Sequence, residues 1–529
     1  MRSQLIRGLI AAVGVAALAV IAAGPTAADG GSGGGPGISR GPSTTTDPYV
    51  LPVASGVRIT SVLTVSDAGA ASNGFELVGI PDGMGASSSS GGNFTLYNNQ
   101  EIGATLGAVR AHGQTGAFVS KWSIDGKTFQ VEQGSDFIQP GVTYWDYVSQ
   151  TYGPNPSAGG ANPRVPGDTF PAQLAAFARF CSSSLTDHMQ LFNNRTGNGY
   201  RGRIYFGNEE SGDEGRSFGI TEDGHAQQLP RLGLFSWENT LVAANRSDVT
   251  LVMGQEDSSD GQLRVYLGRK QSHGNAFDKA GLTNGTELVI ELTNEAVSTD
   301  AGFRSTYGKD AEADFDLAEV PWDLSGTAQN AIAHNVGLTL NRIEDGAWDP
   351  RNPDDFYFVT TEGGKGADVP TGSFGRDGGG LWRLRFDNIE HPQRGGTLTL
   401  LLDGSEAPFL NKPDNIDVDR WGNLLIQEDA GNNVHLGRIV AYDIKSGKRG
   451  VVAQFDPALF APQTPGGTDA VFTIDEESSG IIDAHEVLGK GWFLFDAQIH
   501  KTNPDPALVE YGQVLAMRVQ NFKDVYTID

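Results

Sequence analysis

The chain has 529 residues, of which 38% are hydrophobic, and its 64 acidic and 38 basic side chains give a formal net charge of -26 at pH 7. A surface this acidic repels nucleic acid and anionic membranes, which excludes both classes of partner. The single cysteine, Cys181, excludes an intramolecular disulfide, and a lone cysteine is most often a small buried residue.

The N-terminal residues have the pattern of a secretory signal peptide, predicted to span residues 1–28. Arg2 and Arg7 precede an apolar run from Leu9 to about Ala23, and small residues suited to cleavage follow. An uncleaved membrane anchor is the alternative. Residues 29–48 are rich in Gly, Ser, Thr and Pro and are predicted to be a flexible linker. We expect an exported monomer without a stable membrane span.

Six short apolar runs each end in carboxylate or amide side chains. The clearest is 424–426, which follows a turn at 419–423 and ends in Gln427, Glu428 and Asp429. The others are 94–97, 203–206, 250–253, 356–359 and 492–495. Because a buried carboxylate without a cation costs several kcal/mol, these strand ends are candidate cation ligands.

Repeated short strands separated by turn residues predict an all-β fold, a single β-propeller of about six blades over residues 49–529. If the six runs are the inner strands, their polar ends meet at one mouth of the central channel and supply the oxygen ligands that calcium requires. Residues 144–194 are predicted to be a helical insertion, with a helix over 173–180, and the acidic stretch 301–323 to be a surface excursion.

Other catalytic motifs are absent or out of context. The sequence has no His-Glu-x-x-His and no Cys-x-x-Cys, which argues against the common zinc sites. Ser217 lies in a Gly-x-Ser-x-Gly pattern that follows two acids instead of a buried strand, so chance explains it best. The run Asp475, Glu476 and Glu477 fits a solvated loop or a metal site equally well.

Several of these motifs resemble those of the PhoX-type alkaline phosphatases, which are exported β-propeller phosphomonoesterases, and the likeness covers about residues 77–519. Residues 98–101 resemble the family's Asn-His-Glu motif, with Gln100 in place of the histidine. Residues 208–210 are similar to its Cys-Glu-Glu element, with Asn208 in place of the cysteine. Further similar segments are 255–257, 342–345 (Arg-Pro-Glu in the family) and 413–415 (Pro-Asp-Asn).

The resemblance implies calcium and ferric iron ions that cleave small-molecule phosphate monoesters. With Asn208 and Gln100 at two ligand positions, the donors are almost all oxygen, which favours calcium over iron. The predicted metal ligands are Glu101, Glu209, Glu210, Glu256, Asp257, Glu344, Asp414, Asn415, Glu428, Asp429 and Glu476. Arg110 or Arg376 is expected to hold the phosphate, and His500 is a further catalytic candidate.

Two other functions stay open at this point. Residues 413–415 followed by 419–424 also resemble propeller lactonases, which implies a calcium-dependent lactonase or esterase. A non-catalytic, calcium-stabilised binding propeller outside the cell is the third possibility.

Overall fold

Most of the chain forms short antiparallel strands, as the many apolar runs bounded by turn residues predict. The structure, a computed structural model, describes residues 37–67, 69–365, 377–431, 433–465 and 467–528. The predicted signal peptide, residues 29–36 of the predicted linker and Arg376 lie outside the described residues.

Six sheets, here called blades 1 to 6, radiate from a central axis, and the strands of each blade are given from the inner to the outer strand. Blade 1 contains β4 (Pro81–Ser88), β5 (Asn93–Gln100), β6 (Phe118–Asp125) and β7 (Val131–Asp136). Blade 2 contains β12 (Ser184–Leu185), β13 (Ile204–Asn208), β14 (Ser217–Thr221) and β15 (Ala226–Gln228). Blade 3 contains β16 (Trp237–Val242), β17 (Val249–Glu256), β18 (Gly261–Arg269) and β19 (Thr286–Leu292).

Blade 4 contains β22 (Ile343–Trp348), β23 (Asp355–Thr360), β24 (Gly380–Phe386) and β25 (Gly396–Leu402). Blade 5 contains β26 (Pro413–Val418), β27 (Asn423–Glu428), β28 (Arg438–Asp443) and β29 (Arg449–Phe455). Blade 6 contains β30 (Glu476–Asp483), β31 (Trp492–Thr502) and β32 (Glu510–Val519). The predicted all-β propeller of about six blades is therefore confirmed.

The six inner strands contact one another in turn around the axis. A separate hydrophobic cluster fills each of the six spaces between neighbouring blades, so every blade buries both of its faces. The largest fully buried side chains in these clusters include Trp122, Trp237 and Trp382.

All six acid-ended runs are strands, but the prediction that they are the inner strands is wrong. They lie in β5, β13, β17, β23, β27 and β31, the second strand of each blade. Because inner and second strands are antiparallel, the end of a second strand lies beside the start of an inner strand. Both positions therefore lie at the same mouth of the channel.

The first strands of the chain complete the last blades. β1 (Ile38–Arg40) pairs with β3 (Val57–Thr64), β3 pairs with β32 in blade 6, and β2 (Val50–Pro52) pairs with β29 in blade 5. Residues 38–40, inside the predicted linker, thus form a strand. Blades 3 and 4 are joined at their outer edges by β20 (Glu312–Val320), which pairs with both β19 and β25.

The predicted helix over 173–180 is wrong, since those residues contain none. The region contains β8 (Tyr144–Asp146), β9 (Thr151–Gly153), β10 (Gly160–Ala161) and β11 (Thr169–Phe170). Phe177 and Phe180 are fully buried and stacked, and each forms an isolated backbone bridge to a neighbouring segment. An extended backbone lets both rings enter the core between blades 1 and 2.

The remaining elements are short. β21 (Thr339–Leu340) pairs with β18, and the helices are α1 (Ala276–Ala280), α2 (Asp300–Thr306), α3 (Gly326–Val336), α4 (Pro457–Phe460) and α5 (His485–Leu488). Within the part of the chain that the structure describes, no helix has the length and apolar character needed to cross a bilayer.

Substitution of Ile59 tests whether β3 unfolds cooperatively with the rest of the propeller. It is fully buried in β3 and lies opposite Met517 of β32. We expect Ile59→Ala to lower the free energy of unfolding by about 2–5 kcal/mol, because it leaves a cavity in the core between blades 5 and 6. Val53, 55% exposed, is the control: Val53→Ala should change this free energy by less than about 0.5 kcal/mol. Equal effects in denaturant titrations would mean that β3 is not part of the cooperative unit.

Candidate metal centre

Four inner strands carry an acidic residue at the same place, inside a break in their pairing with the second strand. The pairing register shifts near the start of β4, β16, β22 and β26. Such a bulge re-aims the side chains within it, and bulges are common beside active sites. The residue pairs inside the four breaks are Asp82-Gly83, Glu238-Asn239, Glu344-Asp345 and Asp414-Asn415.

These acids meet others from the ends of second strands and one cysteine. Three groups of side chains each have ligand atoms within 4.8 Å of one another. They share Cys181 and Glu238, so they form one continuous cluster, here called the acidic site. Its members are Asp82, Glu101, Cys181, Glu210, Glu238, Glu344 and Asp414.

Burial and mutual repulsion shape the electrostatics of the acidic site. Burial raises the pKa of Asp82, Glu238 and Asp414 well above the usual range, and neighbouring carboxylates raise them further. Burial, reinforced by Glu101, raises the pKa of Glu210 to about 8, although Arg179 opposes this shift. Burial raises the pKa of the Cys181 thiol too. Without further positive charge, the carboxyl groups of Asp82, Glu210, Glu238 and Asp414 are held towards their protonated form.

Several oxygens at the acidic site have no hydrogen-bond partner. Both carboxylate oxygens of Asp82, which is fully buried, are unpartnered. One oxygen each of Asp496 and Gln498 is also unpartnered; Asp496 lies close enough to raise the pKa of Asp82, and the Gln498 side chain donates to Glu101 (3.4 Å). Buried oxygens left in this state are costly, and bound cations are a common remedy.

Two arginines and a lysine accompany the acidic site. Arg179 Nη2 lies 2.7 Å from Glu101, and Arg179 also pairs with Glu210. Arg342 Nη2 lies 2.8 Å from Asp257 and 3.0 Å from Glu344. Arg179, Arg342 and Lys412 have φ values of 48°, 55° and 47°, a left-handed conformation uncommon for residues other than glycine. Each lies within a few residues of the start of an inner strand, so an unusual backbone turn presents a cation beside the carboxylates.

The predicted metal ligands fall into different environments. The structure brings Glu101, Glu210, Glu344 and Asp414 into the acidic site. Asp257 lies beside the acidic site, because Arg342 pairs with both Asp257 and Glu344. Asp429 is half-buried near Lys412 and His500, which oppose the rise in its pKa that burial causes.

Three other predicted ligands lie instead in buried ion pairs. Glu209 receives two hydrogen bonds from Arg216 (2.6 and 2.7 Å). Glu256 lies 2.7 Å from Arg264, and Glu428 lies 2.7 Å from Arg438. Each glutamate directly precedes an acid that points towards the mouth, because successive side chains of a strand point in opposite directions. The prediction that Glu101, Glu209, Glu256 and Glu428 meet in one pocket is therefore wrong for the last three.

Asn415 and Glu476 have structural contacts. The Asn415 side chain donates to Ser182 Oγ (2.7 Å) and accepts from the Gly480 backbone N–H (2.6 Å). Ser182 Oγ in turn donates to Glu238 Oε1 (2.5 Å), so Asn415 acts on the acidic site through Ser182. Glu476 accepts from the Gly437 N–H (3.3 Å), and burial raises its pKa to about 8.

The predicted catalytic residues lie elsewhere or are already paired. Arg110 forms an ion pair with Asp136 and lies 3.7 Å from the centroid of the Phe118 ring, so its guanidinium is engaged within blade 1. Arg376 lies outside the described residues. His500 is held by Glu510 (Nδ1 to Oε2, 2.9 Å) and lies 3.6 Å from Glu477. Burial opposes protonation of His500, yet hydrogen bonds to Glu477 and Glu510 raise its pKa well above the usual value.

Sequence reasoning missed Asp82, Cys181 and Glu238. Because Asn208 stands in place of the family's cysteine, the sequence predicted a site without a thiol ligand. That prediction was wrong, since Cys181 brings a thiol into the acidic site. Asn208 instead forms hydrogen bonds with Ser217 and Thr240. A weak signal was present in the sequence. An acid followed by Gly, Asn or Asp at the start of a strand recurs in the four bulged pairs, and the short polar second residue suits the crowded bulge.

The fold and the acidic site define a six-bladed β-propeller with a buried carboxylate and thiol cluster at one mouth. Residues 220–477 match the family described as alkaline phosphatase PhoX. PhoX of Pseudomonas fluorescens in complex with vanadate, a transition state analogue, aligns with a TM-score of 0.61 at 12% identity, covering 90% of this chain and 98% of that chain. The family match, over just under half of the chain, and the shared fold together support a phosphatase of the PhoX type.

Other propellers align far more loosely. A gluconolactonase from Xanthomonas campestris has a TM-score of 0.27 at 11% identity, covering 84% of this chain and 98% of that chain. A lectin from Burkholderia pseudomallei has a TM-score of 0.31 at 9% identity, covering 81% of this chain and 97% of that chain. Neither likeness bears on function. No protein with curated annotation matches the sequence.

Substitution of Arg264 tests whether Glu256 belongs to a buried structural ion pair instead of a metal site. It is 1% exposed and pairs with both Glu256 (2.7 Å) and Glu287 (2.9 Å). We expect Arg264→Met to lower the free energy of unfolding by about 3–5 kcal/mol, because two buried carboxylates lose their cation.

The control is Arg269→Met, since Arg269 is 77% exposed and lies 4.0 Å from Asp248; a change below about 1 kcal/mol is expected. Denaturant unfolding of both variants measures the difference. If Arg264→Met is as stable as the parent protein, Glu256 is not a structural partner of Arg264.

Proposed function

We propose that the protein is a metal-dependent phosphatase that hydrolyses small-molecule phosphate monoesters at the acidic site. The observation that carries this proposal is the convergence of six carboxyl side chains and one thiol from different blades, with both oxygens of the fully buried Asp82 unpartnered. The match to the PhoX family over residues 220–477 supports the reaction class. As an exported protein, it would act on phosphate esters outside the cytoplasm.

The donor set fits both calcium and iron. Asp82, Glu344 and Asp414 offer hard carboxylate oxygens, which suit calcium. Cys181, between Glu210 and Glu238, offers a soft sulfur ligand that calcium does not use and iron does. When bound, such ions would polarise the phosphoryl oxygens and offset the charge that develops during hydrolysis.

The arginines of the acidic site are suited to hold the phosphate. The side chains of Arg179 and Arg342 are 50% and 29% exposed, so part of each guanidinium is open to a ligand while the rest pairs with the site. A planar guanidinium can donate two parallel hydrogen bonds to a phosphoryl group. We propose that these two residues take the role first predicted for Arg110 and Arg376.

His500 has a different role in this proposal. Its two ring nitrogens face Glu510 and Glu477, so the ring is placed to stay protonated as a counter-charge for the carboxylates beside the acidic site. Proton transfer to a substrate would require it to leave these partners. We therefore propose that His500 balances charge.

The central test combines activity with metal content. Purified protein supplied with calcium and iron is expected to hydrolyse an aryl phosphate. Asp82→Asn should lower kcat/KM by more than about 100-fold with loss of bound metal, since even the loss of a residue that only supports a ligand costs about 10–100-fold. Cys181→Ser should lose iron and keep calcium, as measured by elemental analysis.

Asp260→Asn is the matched control, because Asp260 is 65% exposed. It should keep both metals and full activity. Failure of the metal-loaded parent protein to cleave the ester, or full activity in Asp82→Asn, would contradict the proposal. Cleavage of a lactone without cleavage of the phosphate would favour a lactonase instead.

A second prediction concerns substrate binding. Arg179→Gln should raise KM by about tenfold or more, with a smaller fall in kcat, because a charge-assisted hydrogen bond to phosphate contributes about 1.5–3 kcal/mol. Steady-state kinetics with the aryl phosphate provide the measurement. Arg164→Gln, which removes a 56% exposed arginine, should leave both constants unchanged. An unchanged KM in Arg179→Gln would remove this residue from the proposed phosphate site.

A further inference from the structure

One part of the acidic site consists of carboxylates alone. Glu238 of β16, Glu344 of β22 and Asp414 of β26 have ligand atoms within 4.8 Å of one another, and they are here called the oxygen triad. Glu344 and Asp414 belong to neither of the two groups that contain Cys181. The oxygen triad therefore offers only hard donors, which suit calcium, at a distance from the thiol.

Thr361 is fully buried beside the oxygen triad, directly after the last residue of β23. Its hydroxyl oxygen lies 2.6 Å from Glu344 Oε1 and 3.0 Å from the carbonyl oxygen of Pro413, the residue before Asp414. Its backbone N–H donates to the carbonyl of Arg342 (2.9 Å). This one residue thus contacts the starts of both bulged strands that carry Glu344 and Asp414.

The Thr361 hydroxyl has a single hydrogen, so it donates to one acceptor at a time. The Glu344 carboxylate is nearer than the Pro413 carbonyl and carries a charge, which makes it the stronger acceptor. Arg342 Nη2 also approaches Glu344 Oε1, at 3.0 Å. Among the described residues, Glu344 Oε2 receives no hydrogen bond. Both protein contacts therefore hold one oxygen of Glu344, and the other oxygen remains available to a cation.

A second hydroxyl holds Glu238 in the same way. Ser182 Oγ donates to Glu238 Oε1 (2.5 Å) and accepts from the Asn415 side chain (2.7 Å). Each glutamate of the oxygen triad is thus held at Oε1 by a buried hydroxyl that also contacts a residue next to Asp414. The recurrence of this arrangement at both glutamates indicates that the hydroxyls have a role in the site.

We propose that Thr361 is a positioning residue for the cation bound by the oxygen triad. Its hydroxyl fixes the rotation of the Glu344 carboxylate and therefore the separation of that carboxylate from Asp414. The loss of a hydrogen bond to a metal-ligating group costs about 10–100-fold in metal affinity. This inference rests on the proposed function, because the cation is part of the proposed metal centre, and Thr361 acts on it through Glu344.

Thr361→Val tests the proposal, since valine has nearly the shape of threonine and no hydroxyl. Metal-loaded full-length protein is equilibrated in buffers of decreasing free calcium, and elemental analysis measures the bound calcium and iron. We expect the variant to release one calcium ion per chain at a free calcium concentration about tenfold or more above that of the parent. Iron should be retained, because the Thr361 hydroxyl lies against Glu344 and Pro413, which belong to neither group that contains Cys181.

Thr360→Val is the matched control. Thr360 is equally buried, but its side chain points to the other side of the strand, where its hydroxyl accepts from Trp382 Nε1 (3.1 Å). This variant should unfold at a lower temperature and keep the calcium affinity of the parent. Thr361→Ser, which retains a hydroxyl, should bind calcium as the parent does. Thermal unfolding verifies that each variant is folded.

Calcium release at the same free concentration in Thr361→Val and in an active parent protein would overturn this inference alone. An equal shift in Thr360→Val, or the same loss of affinity in Thr361→Ser, would also overturn it, because the effect would then come from a general weakening of blade 4. A parent protein that binds no calcium would overturn the inference together with the proposed function.

Discussion

Repulsion among buried carboxylates is the interaction that the structure has to balance. Six carboxyl groups and a thiol lie together at one mouth of the channel, and the two arginines beside them pair with only part of that charge. Such a cluster is unfavourable unless cations are bound or protons are held. The six hydrophobic clusters between the blades provide the rigid frame that keeps these groups together. The acidic site therefore lowers stability unless its charge is balanced, and the surrounding frame has to offset that cost.

Two features of the strands bring the acids to their places. A bulge at the start of four inner strands turns one carboxylate of each into the acidic site. In three second strands, two acids in succession separate by alternation, so that Glu209, Glu256 and Glu428 pair with arginines of their own blades. The same residue type thus serves the core at one position and the mouth at the next.

The propeller and the mouth of the channel were predictable because each blade repeats a short apolar run with an acidic end. The assignment of individual ligands was harder. Acidic pairs such as Glu256 and Asp257 look equivalent in the sequence, and only their pairing with Arg264 and with the distant Arg342 shows which one is turned inward. Asp82, Cys181 and Glu238 escaped notice because bulges depend on pairing between strands, which composition does not reveal. The helix predicted over 173–180 failed because burial of Phe177 and Phe180 outweighed local propensity.

The way the ring closes has a consequence for biosynthesis. Val50 of β2 pairs with Phe455, and Val57 of β3 pairs with Val519, so the first strands to leave the ribosome find their partners among the last. Until the C-terminal blade exists, those early strands present unpaired edges that invite aggregation. Contacts between such distant segments also slow folding. A chain interrupted before β32 would therefore leave β3 without its partner strand, whatever the quality of its earlier blades.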